Sequence, residues 1–416
     1  MKHYLVIQLA RFGDLIQTKR LIATLVARGD GHVHLCLDHS LAPLASLVYP
    51  ELELHSIAAH RTGVSREQAY FAMLNGNRKT FARLKALKFD EVYNLNFSPL
   101  NFRIAALFDP ATVRGHFWDN GQEVSSQWAR MAMQWSRWRK LSINLVDFWA
   151  YYCRDAVAPE KVNPEASPHG ENIGIVLSGR ESRRSIPLDL LAEYTTAIAR
   201  INKSAKILLL GSHTEQNAGK NMHRLLPSDL QNRTENLAGK TNWADLIEVV
   251  SSMKRILSPD TGTMHLAAHL GTPVTAFFLS SAWCFETGPY GNGHTILQAT
   301  RNCLPCLESD TCPHKTACLE GFQATDFIRF MITEKSTVVP NGINAYQTQT
   351  DEFGINNRIF AGTDPDQASR IEFRRFLARH VGLNTPLSNN AHHLAIKMYR
   401  EKDWSVPRAE ESRHVL

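Results

Sequence analysis

Residues 255–278 read RILSPDTGTMHLAAHLGTPVTAFF, and this stretch decides the fold. Its pattern predicts the end of a buried strand, a tight turn over 259–262, a short helix over 263–270 and a second strand over 274–278. A glycine and a proline behind the helix are typical of a helix end. The order strand, helix, strand predicts a parallel sheet, and such sheets bind ligands at the carboxyl ends of their strands.

The turn in this unit is a candidate binding site for an anion. Asp260, Thr261, Gly262 and Thr263 offer hydroxyl groups and free backbone N–H groups at a helix N-terminus, which suits a diphosphate. His265, one turn into the helix, adds a hydrogen-bond donor or a positive charge. The spacing alone equally allows Asp260 and Thr261 to act only as helix caps.

Length and composition predict a folded, globular protein. The 416 residues predict about two or three domains. No secretory signal pattern is evident, and no apolar run approaches the roughly 18 residues of a spanning helix. We therefore expect a cytoplasmic protein whose seven cysteines are reduced thiols or metal ligands and form no disulfides. The net charge of +6 suits an anionic substrate or the anionic cytoplasmic face of the inner membrane, but it is too weak to indicate a nucleic-acid partner.

A second candidate site follows the first predicted strand. Residues 4–10 are nearly all apolar and predict a strand of a parallel sheet, followed by a helix over 15–28. Gly13 lets the intervening turn bend sharply and allows a substrate to approach the backbone. Asp14 then stands at the carboxyl edge of the strand, either as a functional carboxylate or as a helix cap.

Several segments around the opening stretch resemble glycosyltransferase family 9, the heptosyltransferases of lipopolysaccharide core assembly. The motif Asp-Ser/Thr-Gly-x-x-His-x-Ala-Ala of that family is present without a gap over 260–268, and 236–241, 246–250 and 271–274 also resemble it. The resemblance extends to about residue 335. It implies an α/β protein with the GT-B arrangement, in which two Rossmann-like domains with parallel sheets face a central cleft.

The domain organisation expected from this resemblance has four parts. Residues 1–157 form an N-terminal Rossmann-like acceptor domain, and the proline-containing segment 158–170 is a linker. Residues 171–335 form the C-terminal Rossmann-like domain for the nucleotide sugar. Residues 336–416 are a polar C-terminal extension to which the sequence assigns no role.

The resemblance implies an inverting transfer of heptose from ADP-heptose to a lipopolysaccharide-core or related glycan acceptor. Asp14 occupies the place of the family's proposed general base, which takes the proton from the attacking hydroxyl. Arg184 stands where the family carries a lysine that reaches the donor phosphates, and Arg183 is an alternative because the register is uncertain. Glu215 stands where an acidic residue accepts hydrogen bonds from the ribose, although a helix-start carboxylate is equally consistent. Because basic groups stabilise the leaving diphosphate, catalysis requires no cofactor.

Other functions remain open on the sequence alone. The chain could be a GT-B transferase that uses another sugar nucleotide or a protein acceptor. A sugar-nucleotide epimerase shares the architecture and needs no acceptor. A catalytically silent binding or scaffold protein could also keep the fold.

A cysteine cluster follows the C-x2-C-x5-C-x5-C pattern. Cys303, Cys306, Cys312 and Cys318 are candidate ligands for a structural zinc or iron ion, with reduced structural thiols as the alternative. Similar clusters occur in part of the resembled family. The two five-residue intervals are short for a zinc ribbon, so the pattern does not prove that a metal is bound.

Two segments are candidates for contact with a lipid-linked anionic acceptor, and each has a structural alternative. Basic residues in the region 40–80 are candidates for binding a phosphorylated sugar, or form a solvated surface. Trp128, Met131, Trp135 and Trp138 fall at helical spacing among arginines, which predicts either a core-facing aromatic stripe or an interfacial helix that contacts the inner membrane.

Overall fold

The computed structural model of the chain describes residues 1–59, 66–135, 140–179, 182–307, 309–333 and 339–386. These residues form two compact units. The first holds the described residues up to 135 together with Val146–Val157, and the second holds 140–145 and the described residues from Ala158 onward. The predictions on residues 60–65 of the basic region and on Trp138 lie outside the described residues.

The first unit is built on a six-stranded sheet. Its strands are β1 Lys2–Gln8, β2 Gly31–Asp38, β3 Glu53–Ile57, β4 Glu91–Asn94, β5 Val113–Asp119 and β6 Gln122–Ser125. Their order is β3-β2-β1-β4-β5-β6, and every pair is parallel except the last. The helices are α1 Phe12–Gln17, α2 Lys19–Ala27, α3 Ala42–Val48, α4 Arg66–Gly76, α5 Arg78–Ala86, α6 Pro99–Ala105, α7 Gln127–Trp135 and α8 Leu145–Ala150.

The second unit is built on an eight-stranded sheet. Its strands are β7 Asn172–Val176, β8 Ile207–Leu210, β9 Thr234–Asn236, β10 Met253–Pro259, β11 Val274–Phe278, β12 Thr295–Ala299, β13 Ile343–Thr350 and β14 Ile355–Ala361. Their order is β14-β13-β12-β11-β10-β7-β8-β9. The pairs β12–β13 and β13–β14 are antiparallel, and the other pairs of this sheet are parallel. The helices are α9 Leu188–Ile201, α10 Gln216–Leu225, α11 Ser228–Gln231, α12 Trp243–Ser251, α13 Gly262–His269, α14 Cys284–Thr287, α15 Glu320–Gln323, α16 Thr325–Thr333 and α17 Gln367–His380.

Each sheet has a point where its strand order reverses. In the first unit the chain runs from β1 to β2 and β3 on one side, and then returns to place β4 on the other side of β1. In the second unit β8 and β9 lie on one side of β7, and β10 lies on its other side. Crevices at the carboxyl ends of the strands at such points are the usual ligand sites of open α/β sheets.

The apolar strands form the cores because both faces of a parallel sheet are covered by helices. Leu5 and Ile7 of β1 are fully buried, and the residues of β11 from Ala276 to Phe278 are at most 1% exposed. Trp128 and Met131 of α7 are 8% and 1% exposed, so these two members of the aromatic stripe belong to the core.

The structure differs from the sequence expectation in two segments. The helix expected over 15–28 is divided, because Thr18 ends α1 and directs its hydroxyl back to the carbonyl oxygen of Asp14 at 2.8 Å. The described residues beyond 335, which the sequence treats as an extension, contribute β13 and β14 to the second sheet and then α17. Among the described residues, none of the helices combines the length and apolar character that a membrane span requires.

Candidate active site

The opening stretch folds into β10, a two-residue turn of Asp260 and Thr261, and α13 at the reversal point of the second sheet. Thr261 is the N-cap of α13, and its hydroxyl oxygen accepts a hydrogen bond from the backbone N–H of Met264 at 3.4 Å. The side chain of Ser258 contacts the same hydroxyl at 3.1 Å. Gly262 and Thr263 begin the helix, where backbone N–H groups have no acceptor within the helix. The capping alternative is therefore correct for Thr261, and it leaves the helix N-terminus available to an anion.

Asp260 is the centre of a polar cluster at this turn. Its side chain is 6% exposed and forms an ion pair with Arg184. The carboxylate also accepts a hydrogen bond from the hydroxyl of Thr287 at 2.9 Å, and its other oxygen lies 3.6 Å from Nε2 of His265. The structure thus brings together Asp260, Arg184 and His265, three residues that the sequence identifies as site residues.

The electrostatics of the cluster keep Asp260 ionised. Burial by itself would raise the pKa of this carboxyl. The contact with His265, the charge of Arg184 and the hydrogen bond from Thr287 outweigh burial, so the pKa of Asp260 lies below its usual value. A buried carboxylate of this kind needs its partners, because an unpaired buried charge is strongly destabilising.

The two arginines of the loop after β7 have different partners. Arg184 is 15% exposed, and its Nε is buried without a hydrogen-bond partner. Arg183 instead donates hydrogen bonds to the backbone carbonyl oxygens of Asp310 and Leu307, within the loop that carries the cysteines. Arg184 therefore faces the Asp260 turn, whereas Arg183 holds the cysteine loop.

Glu215 lies beyond the carboxyl end of β8, in the single-turn helix His213–Glu215. One carboxylate oxygen accepts from the backbone N–H of Ser212 at 2.7 Å, and the other from the hydroxyl of Thr214 at 2.7 Å. Half-burial would raise the pKa of Glu215, but hydrogen bonds from Ser212, Thr214 and Ser178 lower it. The carboxylate is a helix-start group in this structure, and its role in binding ribose stays a prediction.

Asp14 lies in the first turn of α1, after the carboxyl end of β1 in the first unit. Its Oδ2 accepts a hydrogen bond from the backbone N–H of Arg11 at 3.1 Å, which closes the turn around Gly13. The side chain is half-buried. The helix-start interpretation is thus correct for one oxygen, and it does not conflict with a role as a general base.

A buried amide network holds this turn from beneath. The side chain of Gln8 is 1% exposed, accepts from Asn96 at 2.7 Å and from the backbone N–H of Ala10 at 3.2 Å, and donates to Thr18 at 3.2 Å. Asn96 follows β4 and also accepts from the backbone N–H of Leu9 at 2.8 Å. The two strands at the reversal point of the first sheet are therefore joined directly beneath the turn that carries Asp14.

The four cysteines are free thiols of differing exposure. Cys303 is exposed, Cys306 and Cys312 are partly buried, and Cys318 is buried. Burial raises the pKa of Cys306 and Cys318, whereas backbone hydrogen bonds lower that of Cys312. Within the described residues, no three of these sulfur atoms come within 4.8 Å of one another. The thiols are not arranged as a ready metal cage here, so the cysteine metal site stays a prediction.

One member of the Asp260 cluster, Thr287, was not among the site residues predicted from the sequence. Thr287 precedes a Gly-Pro pair that follows α14, far along the chain from the turn that it contacts. The only signal for it was a hydroxyl residue next to that pair. Its neighbour Trp283 has a buried indole N–H without a hydrogen-bond partner.

The comparisons with known proteins cover the segment of the second unit that contains this cluster. The profile of glycosyltransferase family 9 (heptosyltransferase) matches residues 175–317, which include the Arg184 loop, the Asp260 turn and Thr287. A lipooligosaccharide heptosyltransferase 2 of Haemophilus influenzae is 30% identical over 78 residues, which is 19% of this chain and 22% of that protein. Residues 175–317 of this chain thus match a glycosyltransferase family 9 domain.

Two solved structures of heptosyltransferases have a similar fold. E. coli ADP-heptose lps heptosyltransferase II matches with a TM-score of 0.50 and 20% identity, over 70% of this chain and 88% of that chain. E. coli heptosyltransferase WaaC with ADP matches with a TM-score of 0.55 and 15% identity, over 72% and 93%. The predicted GT-B fold of two α/β units is therefore confirmed. The sequence match is shorter, because the chain spans about a fifth of the length of the curated relatives it matches.

Proposed function

We propose that this family 9 protein is an inverting glycosyltransferase that transfers heptose from ADP-heptose to a lipopolysaccharide-core or related glycan acceptor. The observation that carries the proposal is the Asp260 cluster at the start of α13, within the segment that the family profile matches. The relatives that match this chain in sequence are heptosyltransferases. The names of two similar solved structures include ADP-heptose or ADP.

In this proposal the donor diphosphate binds at the N-terminus of α13. The backbone N–H groups of Gly262 and Thr263 and the hydroxyl of Thr261 hydrogen-bond the phosphates. Arg184 neutralises the leaving diphosphate with a guanidinium group that retains a buried, unpartnered Nε beside Asp260. Asp260 holds Arg184 in place through their ion pair, and it orients His265 at the same turn.

In the same proposal the acceptor reaction takes place at Asp14. The carboxylate removes the proton from the acceptor hydroxyl as that oxygen attacks the anomeric carbon and the bond to the diphosphate breaks. Glu215 accepts hydrogen bonds from the ribose. The acceptor is an anionic, lipid-linked glycan, and the net charge of +6 favours peripheral contact with the cytoplasmic face of the inner membrane. Basic side chains stabilise the diphosphate, so the transfer needs no divalent cation.

Calorimetric titration with ADP, UDP and GDP, followed by ADP-heptose, tests the donor assignment. We expect ADP to bind at least about tenfold more tightly than UDP or GDP, a difference of roughly 1.4 kcal/mol. Arg184→Ala should weaken ADP binding by about 1.5–3 kcal/mol, because it removes charged hydrogen bonds to phosphate. Arg200→Ala, at an exposed arginine in the last turn of α9, is the matched control and should leave the affinity unchanged.

The other outcomes separate the alternatives. A preference for UDP or GDP would keep the transferase and reject ADP-heptose as its donor. Release of an altered free sugar without an acceptor would indicate an epimerase. Binding of ADP without turnover on any glycan or protein acceptor would indicate a silent binding protein, and no binding of any nucleotide would reject the donor site.

A further inference from the structure

Four histidines and a glutamate gather at the amino-terminal end of the first sheet. In the register of the parallel strands, His3 of β1 lies opposite His32 of β2, and His34 of β2 lies opposite Glu53 of β3. His55 follows Glu53 by two residues and therefore projects from the same face. This end of the sheet is opposite to the carboxyl end of β1, after which Asp14 lies.

The side chains of His34, His55 and Glu53 each place a possible metal-ligand atom close to the other two. Nδ1 of His34 lies 3.0 Å from Nε2 of His55 and 3.4 Å from Oε2 of Glu53. Nε2 of His55 lies 3.8 Å from Oε1 of Glu53. Within the described ranges of the chain, this is the one group of three His, Cys, Asp or Glu ligand atoms that all lie within 4.8 Å of one another.

These distances of 3.0–3.8 Å lie on either side of the edge length of a metal coordination tetrahedron. With metal–ligand bonds of about 2.0–2.1 Å, tetrahedral ligand atoms stand roughly 3.3–3.4 Å apart. Two imidazoles and one carboxylate are a donor set that Zn²⁺ uses, with water in the remaining position.

We propose that His34, His55 and Glu53 bind a divalent transition-metal ion of the Zn²⁺ class, and that His3 positions His34 for this role. Such an ion joins the edge strand β3 to β2 at a site separate from the proposed transferase chemistry. The site thus acts on the stability of the first unit and takes no part in sugar transfer.

His3 determines which nitrogen of His34 is available. Nδ1 of His3 lies 2.9 Å from Nε2 of His34, the ring nitrogen that points away from Glu53. When Nε2 of His34 carries the proton and donates it to His3, Nδ1 presents its lone pair to the ion. A metal-bound histidine is commonly fixed by a hydrogen bond from its other nitrogen, and loss of that partner weakens metal binding.

The surroundings of the two histidines are buried and leave a route to solvent on one side. His34 and His55 are 1% and 2% exposed. Glu53 is 43% exposed on its side chain, so an ion can enter from that side. Arg83, which is 63% exposed, contacts Oε1 of Glu53 at 2.6 Å and competes with the ion for this oxygen.

Zn²⁺ titration of the full chain after chelator dialysis tests the site. We expect Glu53→Gln to weaken Zn²⁺ binding at least about tenfold, whereas Glu51→Gln, at an exposed glutamate two residues earlier, leaves it unchanged. His3→Gln should weaken binding by about 10–100-fold through His34. Co²⁺ separates this site from the cysteines, because nitrogen and oxygen ligands give visible bands without the thiolate charge-transfer band.

The matched variant Arg83→Gln distinguishes a metal site from a simple ion pair. It removes the competing cation, so Zn²⁺ should bind equally or more tightly and should raise the melting temperature as in the wild type. Equal Zn²⁺ affinity and stoichiometry in Glu53→Gln and Glu51→Gln would overturn the proposal. So would an equal loss of affinity in Arg83→Gln and Glu53→Gln, because the Arg83–Glu53 pair would then explain the effect.

Discussion

At the residue scale, the buried carboxylate of Asp260 organises the polar cluster of the candidate site. It receives an ion pair, a hydroxyl hydrogen bond and a histidine contact from three separate parts of the chain. Removing any one of these contacts would leave the buried carboxylate less well paired. The contacts together therefore hold the cluster in one arrangement. Arg184 is thereby presented at the start of α13 before any donor binds.

Thr287→Val should weaken nucleotide binding without unfolding the protein. Valine has nearly the shape of threonine but cannot donate to Asp260, so the carboxylate loses one stabilising contact and holds Arg184 less firmly. We expect a loss of about 1–2 kcal/mol in ADP affinity by calorimetry. Thr287→Ser keeps the hydroxyl and should restore most of the affinity; if serine and valine bind equally weakly, the hydroxyl is not the cause.

Asp14→Asn should abolish transfer while donor affinity stays nearly constant. The asparagine oxygen can still accept from the backbone N–H of Arg11, so the turn is kept and only the base is lost. We expect turnover to fall at least about a hundredfold, the usual contribution of a general base, with unchanged ADP-heptose binding. Asp109→Asn makes the same change at another helix start of the first unit and should have no effect. Wild-type turnover in Asp14→Asn would show that the base lies elsewhere.

At the scale of elements, α2 and α8 are joined through a buried ion pair. Arg20 of α2 donates to Asp147 of α8 at 2.6 Å, and the two side chains are 1% and 0% exposed. The guanidinium also donates to the carbonyl oxygen of Val157 at 2.9 Å and lies over the ring of Tyr151. Its Nη2 also contacts the hydroxyl of Tyr151 at 3.4 Å, so each guanidinium nitrogen has a partner. Loss of the ion pair should therefore affect both helices.

Asp147→Asn should destabilise the first unit by about 3–5 kcal/mol, because it leaves the charge of Arg20 buried without its counterion. Asp155→Asn is the matched comparison. Asp155 is 53% exposed in its pair with Arg28, so its loss should cost less than about 1 kcal/mol. The shift of the urea unfolding midpoint measures both, and equal shifts would show that burial does not decide the strength of these pairs.

At the scale of the whole molecule, each unit contains a buried neutral histidine that makes the fold sensitive to acid. Burial lowers the pKa of His116 in the first unit and of His294 in the second from 6.5 to about 4. Between pH 4 and 6.5 each histidine is protonated in the unfolded chain but neutral in the folded chain. Its contribution to the free energy of unfolding is therefore fully present above pH 6.5 and is lost as the pH drops towards 4. Each histidine contributes on the order of 2–3 kcal/mol to this loss.

His294→Leu should flatten this acid dependence for the second unit. Both ring nitrogens of His294 are buried without hydrogen-bond partners, so leucine removes the titrating group and breaks no side-chain hydrogen bond. Urea unfolding at pH 7 and at pH 4.5 should show a smaller difference in the variant than in the wild type. An unchanged difference would assign the acid sensitivity to other groups.

The sequence by itself determined the strands with continuous apolar runs, the βαβ units that they form and the turns that follow β1 and β10. These features depend on residues close together in the chain, where hydrophobic period and helix-capping residues act directly. The chain beyond residue 335 looked polar, yet β13 and β14 pair there because Asn344, Thr348 and Asn357 find buried hydrogen-bond partners. Only the tertiary structure decided that outcome, the pairing of Arg184 and Thr287 with Asp260, and the assembly of His34, Glu53 and His55. Each of these depends on groups that are distant in the chain and meet only when strands are set side by side, and no local pattern reports such a meeting.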